Sequence, residues 1–387
     1  SRAYLAASEL AVTPVAATEA LMGRIRTLQA MGEWSDCSRA LTRIRELDPQ
    51  SVQHALREEL DLLEVEVHWY SSSASSQSIR RLRTYATNEH APPAYRAKAA
   101  LIGMIAADNM FDDAAMTLFH HALQTSAPDN PEAQRNHIRA ELIYCTSMGN
   151  FDDACKAATT LVALARESKL ATVLTVALRT ASYPFRRANR FAEARAYLVE
   201  TCELARQHHF LHSLSRTQEL LAWLMIDYQN EEEALVHLAQ CTADQPGDPA
   251  SFSSLSIPIA TTVALVKLAR WEEAERVAAS IPLENYDPAS RTLALVLTIQ
   301  LFLAAHRGDA QSCANYLGQL DRFSRSMFRR VGQDQIAEAY SRGLEVVRGP
   351  AEARQFAKWY LTEARRDLFP PSPALYLLAF PKDITAS

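Results

Sequence analysis

Apolar residues recur at helical spacing along most of this chain, and one segment shows the pattern clearly. The segment GNFDDACKAATTLVALAR covers residues 149–166. Its apolar positions return with each helical turn, which places them on one face of a helix. These positions are Ala158, Leu161, Val162 and Ala165. The segment therefore predicts an amphipathic helix that buries this face.

The residues that precede this helix predict how it is joined to the helix before it. Gly149 and Asn150 tolerate the left-handed conformation found just past the end of a helix. Asp152 and Asp153 then complement the positive end of the next helix dipole. We interpret this phrase as a tight turn between two helices of one pair, and we expect a looser return to the next pair.

The same phrase recurs along the chain with a constant period. Related copies read NMFDDAAMTLF, NRFAEARAYLV, QNEEEALVHLA and ARWEEAERVAA. A small residue falls at the same place in each copy, 40 residues from the next: Ala114, Ala154, Ala194, Ala234 and Ala274. Weaker copies surround Trp34, Ala310 and Pro350. One helix pair cannot bury its apolar face alone, whereas stacked pairs bury a continuous core.

The repeat predicts an all-α fold, a right-handed α-superhelix (α-solenoid) of about nine antiparallel helix pairs with a period near 40 residues. We expect a single array over residues 1–365, in which the second unit, near residues 50–87, is degenerate. Residues 366–387 break the pattern and are expected to form a C-terminal cap or tail. Pro184 and Pro258 lie within predicted first helices, where a kink or a late helix start is expected.

Three of these phrases, GNFDDACKA, NRFAEARAY and RWEEAERVA, resemble the second-helix opening of tetratricopeptide-like (TPR-like) repeats. The period is longer than the roughly 34 residues of the common repeat. It is similar to that of the TPR-like superhelical arms of bacterial transcription regulators of the MalT and LuxR type. The resemblance implies an arm that binds a ligand or partner on its concave surface and shifts an attached effector module.

Composition narrows the classes of function. The 387 residues carry a net charge of -5, so no global basic field attracts nucleic acid, and nucleic-acid binding through this segment is not expected. The six cysteines form no C-x-x-C pair and are expected to be reduced structural thiols of a cytoplasmic protein. No run of about 18 apolar residues predicts a membrane span. The chain begins with Ser-Arg, which suggests an excised piece of a longer protein.

No motif predicts catalysis, a metal or a cofactor. Phosphate-binding, dinucleotide-binding and nucleophile-elbow signatures are missing from the sequence. The histidines of HHFLH, His208, His209 and His212, would include a pair at i and i+4 if they were helical, but no further ligand follows at zinc spacing. Paired acids recur at the repeat position where they cap helices. We therefore expect neither an enzyme nor a metal protein.

The first helices hold the strongest candidates for binding, because such helices usually line the concave surface of a stacked array. Arg139, Arg179 and Glu219 occupy the same place in three successive units. Arginines there could fork onto a carboxylate or phosphate while aromatic rings stack on the ligand. Alternatively, an Arg179–Glu219 salt bridge joins two units, and Tyr183 and Trp223 pack between helices. The candidate site residues are Arg139, Tyr144, Arg179, Tyr183, Arg186, Arg187, Arg216 and Trp223.

Two functions fit this groove. The first is the ligand- or partner-sensing arm of a bacterial transcription regulator, and the alternative is a freestanding TPR scaffold or adaptor that binds peptide segments of partner proteins. The expected partner is accordingly a protein, a peptide or a small-molecule effector. The sequence also leaves open whether the protein forms a homodimer.

Overall fold

The fold was analysed in a computed structural model, which describes residues 2–31, 34–47, 60–64, 66–67, 76–125, 130–244, 252–281, 290–323, 327–328, 334–365 and 371–381. All regular structure in these ranges is helical, as the sequence predicts. None of these helices is long and apolar enough to cross a membrane.

The helices are numbered here in chain order. They are α1 Arg2–Leu10, α2 Pro14–Met31, α3 Trp34–Glu46, α4 Ser76–Thr87, α5 Pro93–Asn109, α6 Asp113–Gln124, α7 Pro131–Met148, α8 Phe151–Glu167, α9 Ala171–Arg187, α10 Phe191–Gln207, α11 Leu211–Asp227, α12 Glu231–Asp244, α13 Phe252–Lys267, α14 Trp271–Ala278, α15 Arg291–His306, α16 Ala310–Leu320, α17 Asp334–Arg348, α18 Pro350–Trp359 and α19 Pro373–Ala379. Residues 60–64 and 66–67 are also helical, and a π-helical turn, Tyr360–Ala364, extends α18.

The helices stack as antiparallel pairs, which confirms the predicted helical-repeat solenoid. From α5 to α18 the described chain forms consecutive pairs, and each first helix contacts the first helix of the next pair, from α5 through α7, α9, α11, α13 and α15 to α17. One cluster of buried side chains runs through the stack from Phe111 to Ala379. The right-handed sense, the number of nine pairs and the division at residue 365 stay predictions. The helix α19 packs against α17 and α18.

Turns of nearly constant length keep the pairs in register. Helices α8, α9, α10 and α11 each contain 17 residues and are separated by three-residue turns. In each turn one residue adopts a positive φ, and these residues are Lys169, Asn189 and His209. At Gly149 (φ 83°) the N–H of Asn150 donates to the carbonyl of Cys145, which closes the helix in a Schellman motif. The expectation of looser returns is therefore wrong at residues 168–170 and 208–210.

A small side chain at one position lets the two helices of a pair approach closely. Four of the five predicted alanines are fully buried: Ala154, Ala194, Ala234 and Ala274. The exception is Ala114, which is exposed. The register of that copy is wrong because Asp112 accepts the N–H of Ala115 at 2.9 Å and so caps α6, two residues later than the repeat predicts. Met116 then fills the buried position.

The two internal prolines do not mark helix starts. Pro184 and Pro258 lie inside α9 and α13, which begin at Ala171 and Phe252. The expected late start is therefore wrong for both helices. Near the end of α9 the carbonyl of Pro184 accepts the N–H of Ala188 at 2.8 Å, so the helix closes normally after the proline.

The stack curves until distant pairs meet. Arg291 at the start of α15 donates from Nη1 to Oδ2 of Asp108 in α5 at 3.1 Å, although the two residues are 183 positions apart. Phe111 and Phe323 meet edge to face with ring centroids 6.0 Å apart. The N-terminal helix α2 also contacts α11. These contacts enclose the concave face of the superhelix.

Close packing of α5 on α6 gives a stability prediction. A Cβ atom at Gly103 would overlap the ring of Phe119, which is fully buried. We expect Gly103→Ala to lower the free energy of unfolding by about 1–3 kcal/mol, because overpacking forces the ring or the helix to shift. Chemical denaturation followed by circular dichroism measures the change.

Gly318 in α16 supplies the matched control, since a Cβ built there meets no described atom within 4 Å outside its own stretch of helix. Gly318→Ala should raise stability by about 0.5–1 kcal/mol, through helix propensity alone. Equal effects of the two substitutions would contradict the proposed contact between α5 and α6.

Candidate functional site

The first helices of seven consecutive pairs surround one cavity of about 420 Å³. Every residue that lines it belongs to α5, α7, α9, α11, α13, α15 or α17. The constant turns produce this arrangement, because each second helix returns the chain to the same side of the stack. The cavity is hereafter called the groove.

Seven of the eight candidate residues line the groove. They are Arg139, Arg179, Tyr183, Arg186, Arg187, Arg216 and Trp223. The eighth, Tyr144, does not line it. Its ring stacks on His120 of α6 at a centroid distance of 3.7 Å, so it faces the second helix of the preceding pair.

Several residues that line the groove were not among the site residues predicted from the sequence. Asp108 and Arg291 meet only because the stack curves, and no periodic pattern connects them. His212 could have been found from its spacing, since it precedes Arg216 by four residues and so shares its helix face. Ile259 is likewise at the repeat position of Arg139 and Arg179, two units after Arg179.

The groove is strongly basic although the chain as a whole is acidic. Among the described residues, six arginines and two carboxylates line it, and their formal charges sum to +4. The arginines are Arg139, Arg179, Arg186, Arg187, Arg216 and Arg291, and the carboxylates are Asp108 and Glu219. One further carboxylate, Asp227, lies just behind this surface. With Asp227 included, the formal charges of these described residues sum to +3, in a chain whose net charge is -5.

Asp227 holds two of these arginines in place. Its side chain is 1% exposed, and its Oδ2 lies 2.5 Å from Nε of Arg186 and 3.5 Å from Nη1 of Arg187. Burial alone would raise the pKa of this carboxyl, but the charges of Arg186 and Arg187 outweigh burial and lower it. The carboxylate therefore stays ionised and fixes both guanidinium groups. The guanidinium of Arg187 also lies 5.3 Å from the ring centre of Tyr183.

Arg216 and Glu219 form an ion pair within α11. Glu219 is only 3% exposed at its side chain, and Arg216 donates from Nη1 to its Oε2. The same Nη1 donates to Oγ of Ser256 in α13 at 3.3 Å. Glu219, the acid at the repeat position of Arg139 and Arg179, thus pairs with an arginine of its own helix. The sequence had suggested a salt bridge between Glu219 and Arg179 as one alternative.

His212 is largely buried beside the arginines of the groove. Burial, followed by the charges of Arg179 and Arg216, lowers the pKa of His212 to about 3. The ring is therefore neutral near pH 7. The other two histidines of HHFLH lie apart from it, because His208 caps the end of α10 and His209 has the positive φ of the turn. No group of three or more potential metal ligands occurs within the described ranges.

The cysteines support a purely structural role. All six are buried, and none of them forms a disulfide bond. Burial raises the pKa of the Cys241 thiol to about 12, so it stays protonated at neutral pH.

The stacked helix pairs form a TPR-like helical repeat fold. No protein-family model and no curated protein matches the chain. Among solved structures it is similar to the one titled "Crystal Structure of Rap Protein Complexed with Competence and Sporulation Factor". The TM-score is 0.60 at 9% sequence identity, over 89% of this chain and 96% of that chain. At this identity the likeness shows the fold alone.

Neutral His212 gives a prediction on pH dependence. The unfolded chain binds a proton at His212 below a pKa near 6.5, whereas the folded chain does so only near pH 3. The neutral ring therefore stabilises the fold above pH 6.5, and this contribution is lost as the pH falls. At pH 5 His212 alone lowers the free energy of unfolding by about 2 kcal/mol.

The His212→Gln variant carries no titrating group and should lose about 2 kcal/mol less stability between pH 7 and pH 5 than the unchanged protein does. Urea denaturation at both pH values measures the difference. An NMR titration in which the His212 ring of the folded protein protonates near pH 6.5 would contradict the prediction.

Proposed function

We propose that this protein is a non-catalytic binding module that holds a peptide segment of a partner protein in its groove. The observation that carries the proposal is the convergence of seven first helices on one cavity that arginine and aromatic side chains line. Its volume of about 420 Å³ falls within the range of about 300–1,000 Å³ that is usual for ligand sites.

The side chains suit an extended peptide. Arginine offers planar, bidentate donors to carboxylate and carbonyl oxygens. Tyr183 and Trp223 are only partly buried, so their rings remain accessible for apolar contact with a ligand. Asp227 fixes Arg186 and Arg187, so less side-chain entropy is lost when they bind.

The comparison with solved structures supports the same function by analogy. The neighbouring structure is a complex in which a protein of the same fold binds a factor. Because only 9% of residues are identical, the analogy supports a mode of use of the fold and does not identify the partner.

The second candidate is the sensing arm of a transcription regulator of the MalT or LuxR type, with a small-molecule effector in the groove. The repeat period near 40 residues favours it, as does the contact of Arg291 with Asp108, because a ligand that competes for Arg291 would change the curvature of the stack. In either case the buried cysteines, none of which forms a disulfide bond, favour a cytoplasmic protein. A homodimer stays a prediction.

Selection of random 12-residue peptides by phage display tests the proposal. We expect the enriched peptides to bind at least tenfold more weakly to the Trp223→Ala and Arg179→Ala variants. The melting temperature of Arg179→Ala should stay nearly unchanged, because this side chain lies in the groove and not in the core.

Arg166 provides the matched control. It is 55% exposed on a second helix and pairs with Glu200, so Arg166→Ala should leave peptide binding intact. Enriched peptides that bind all variants equally, or no enrichment at all, would overturn the proposal. Native mass spectrometry that shows a copurified small molecule would favour the sensing arm.

A further inference from the structure

A row of apolar side chains crosses the groove from one first helix to the next. Ile143, Tyr183 and Trp223 occupy the same repeat position, 40 residues apart, on α7, α9 and α11. Ile105 on α5 precedes Ile143 by 38 residues, which is the spacing that the two-residue shift of this copy requires. All four side chains line the groove and are only partly buried. These four residues are called the apolar ladder below.

The apolar ladder is accessible although the residues beside it in the sequence belong to the core. Leu142, Ser182 and Ala222 each precede a member of the ladder by one residue, and all three are buried. The ladder is therefore not needed to fill the space between the helices. Apolar side chains that stay accessible within a concave surface, with polar residues around them, are typical of interaction sites.

The spacing of the ladder matches one regular backbone conformation of a bound peptide. Neighbouring packed helices lie about 8–10 Å apart, so successive members of the ladder are separated by about this distance. A polyproline II helix has three residues per turn and rises about 3.1 Å per residue, so every third side chain returns to the same face after about 9.3 Å. One face of a β-strand repeats after about 6.6 Å. An α-helix repeats a face after about 5.4 Å, and two turns cover about 10.8 Å.

Arg139 offers hydrogen-bond donors beside the ladder. It lies one helical turn before Ile143 on α7 and lines the groove. Among the described residues Arg139 forms no ion pair, and its Nε is buried without a hydrogen-bond partner. A polyproline II chain makes no internal hydrogen bonds, so its carbonyl oxygens are available as acceptors. Such an oxygen complements the guanidinium of Arg139 in both charge and hydrogen bonding.

We infer that the groove binds a polyproline II segment in which apolar residues recur at every third position, one for each member of the apolar ladder. This inference rests on the proposed peptide-binding function and adds the conformation and the side-chain pattern of the peptide. Contacts with all four members require about ten residues, because they fall at positions i, i+3, i+6 and i+9. Proline at the intervening positions fixes φ near −65° and so reduces the entropy that the peptide loses on binding.

The sequences enriched from the library of random 12-residue peptides give the first test. We expect apolar residues at i, i+3 and i+6 in these sequences, with proline enriched between them. Enriched peptides with apolar residues at every second position indicate a β-strand, and alternating steps of three and four indicate a helix. Either pattern would overturn the inference and leave peptide binding intact, whereas the absence of enriched peptides would overturn both proposals.

Paired substitutions in the protein and the peptide give the second test. An enriched peptide that carries fluorescein is titrated with the unchanged protein and with its Ile143→Ala and Trp223→Ala variants, and binding is followed by fluorescence anisotropy. Alanine at the peptide residue that contacts Ile143 should weaken binding about tenfold to the unchanged protein but less than twofold to Ile143→Ala, because the variant has already lost that contact.

The peptide residue coupled to Trp223 should lie six positions from the residue coupled to Ile143, since the two members of the ladder are two helix pairs apart. Misfolding of a variant does not produce coupling to a single peptide position. Any other separation, or equal coupling to every position, would contradict the inference. A glycine inserted between the two coupled residues should weaken binding at least tenfold, and unchanged binding of that peptide would also count against it.

Val236 supplies the matched apolar control. It is 56% exposed on the second helix α12 and does not line the groove. Val236→Ala should therefore leave both the affinity and the coupled peptide positions unchanged. Weakening by this variant equal to that by Ile143→Ala would show that the peptide does not depend on the ladder, and the inference would fail.

Discussion

The tight turn between helices is the constraint on which the groove depends. In the middle of the chain a 17-residue helix and a three-residue turn repeat, so each first helix returns to the same side of the stack. A buried alanine in each of the second helices α8, α10, α12 and α14 lets these pairs close. If a turn gained or lost a residue, the following helix would rotate by about 100°, and its arginine would leave the groove.

Buried guanidinium groups lose their hydration, and carboxylates of the protein offset this cost for some of the arginines in the groove. A buried charge is costly unless it is paired and hydrogen-bonded. Asp227 stabilises Arg186 and Arg187 from behind the groove, and Glu219 does the same for Arg216 within its helix. Burial, together with the charges of Arg179 and Arg216, keeps His212 neutral near pH 7.

The contact between Asp108 and Arg291 relates the groove to the shape of the whole array. It joins α5 to α15 and so sets how far the concave face is closed. Most contacts of a helix pair are with the neighbouring pairs, so small rotations between pairs add up over the stack. A ligand that binds several first helices at once therefore acts on the curvature of the array as well as on individual side chains.

The local pattern of the sequence was enough to predict the helices, their pairing and seven of the eight residues placed in the groove, because positions that share a repeat register share a helix face. The tertiary structure alone decided the rest. A capping bond from Asp112 shifted one copy by two residues, and Tyr144 turned out to pack on His120. The pairing of Asp108 with Arg291 depends on curvature summed over many pairs, which no local pattern of residues encodes.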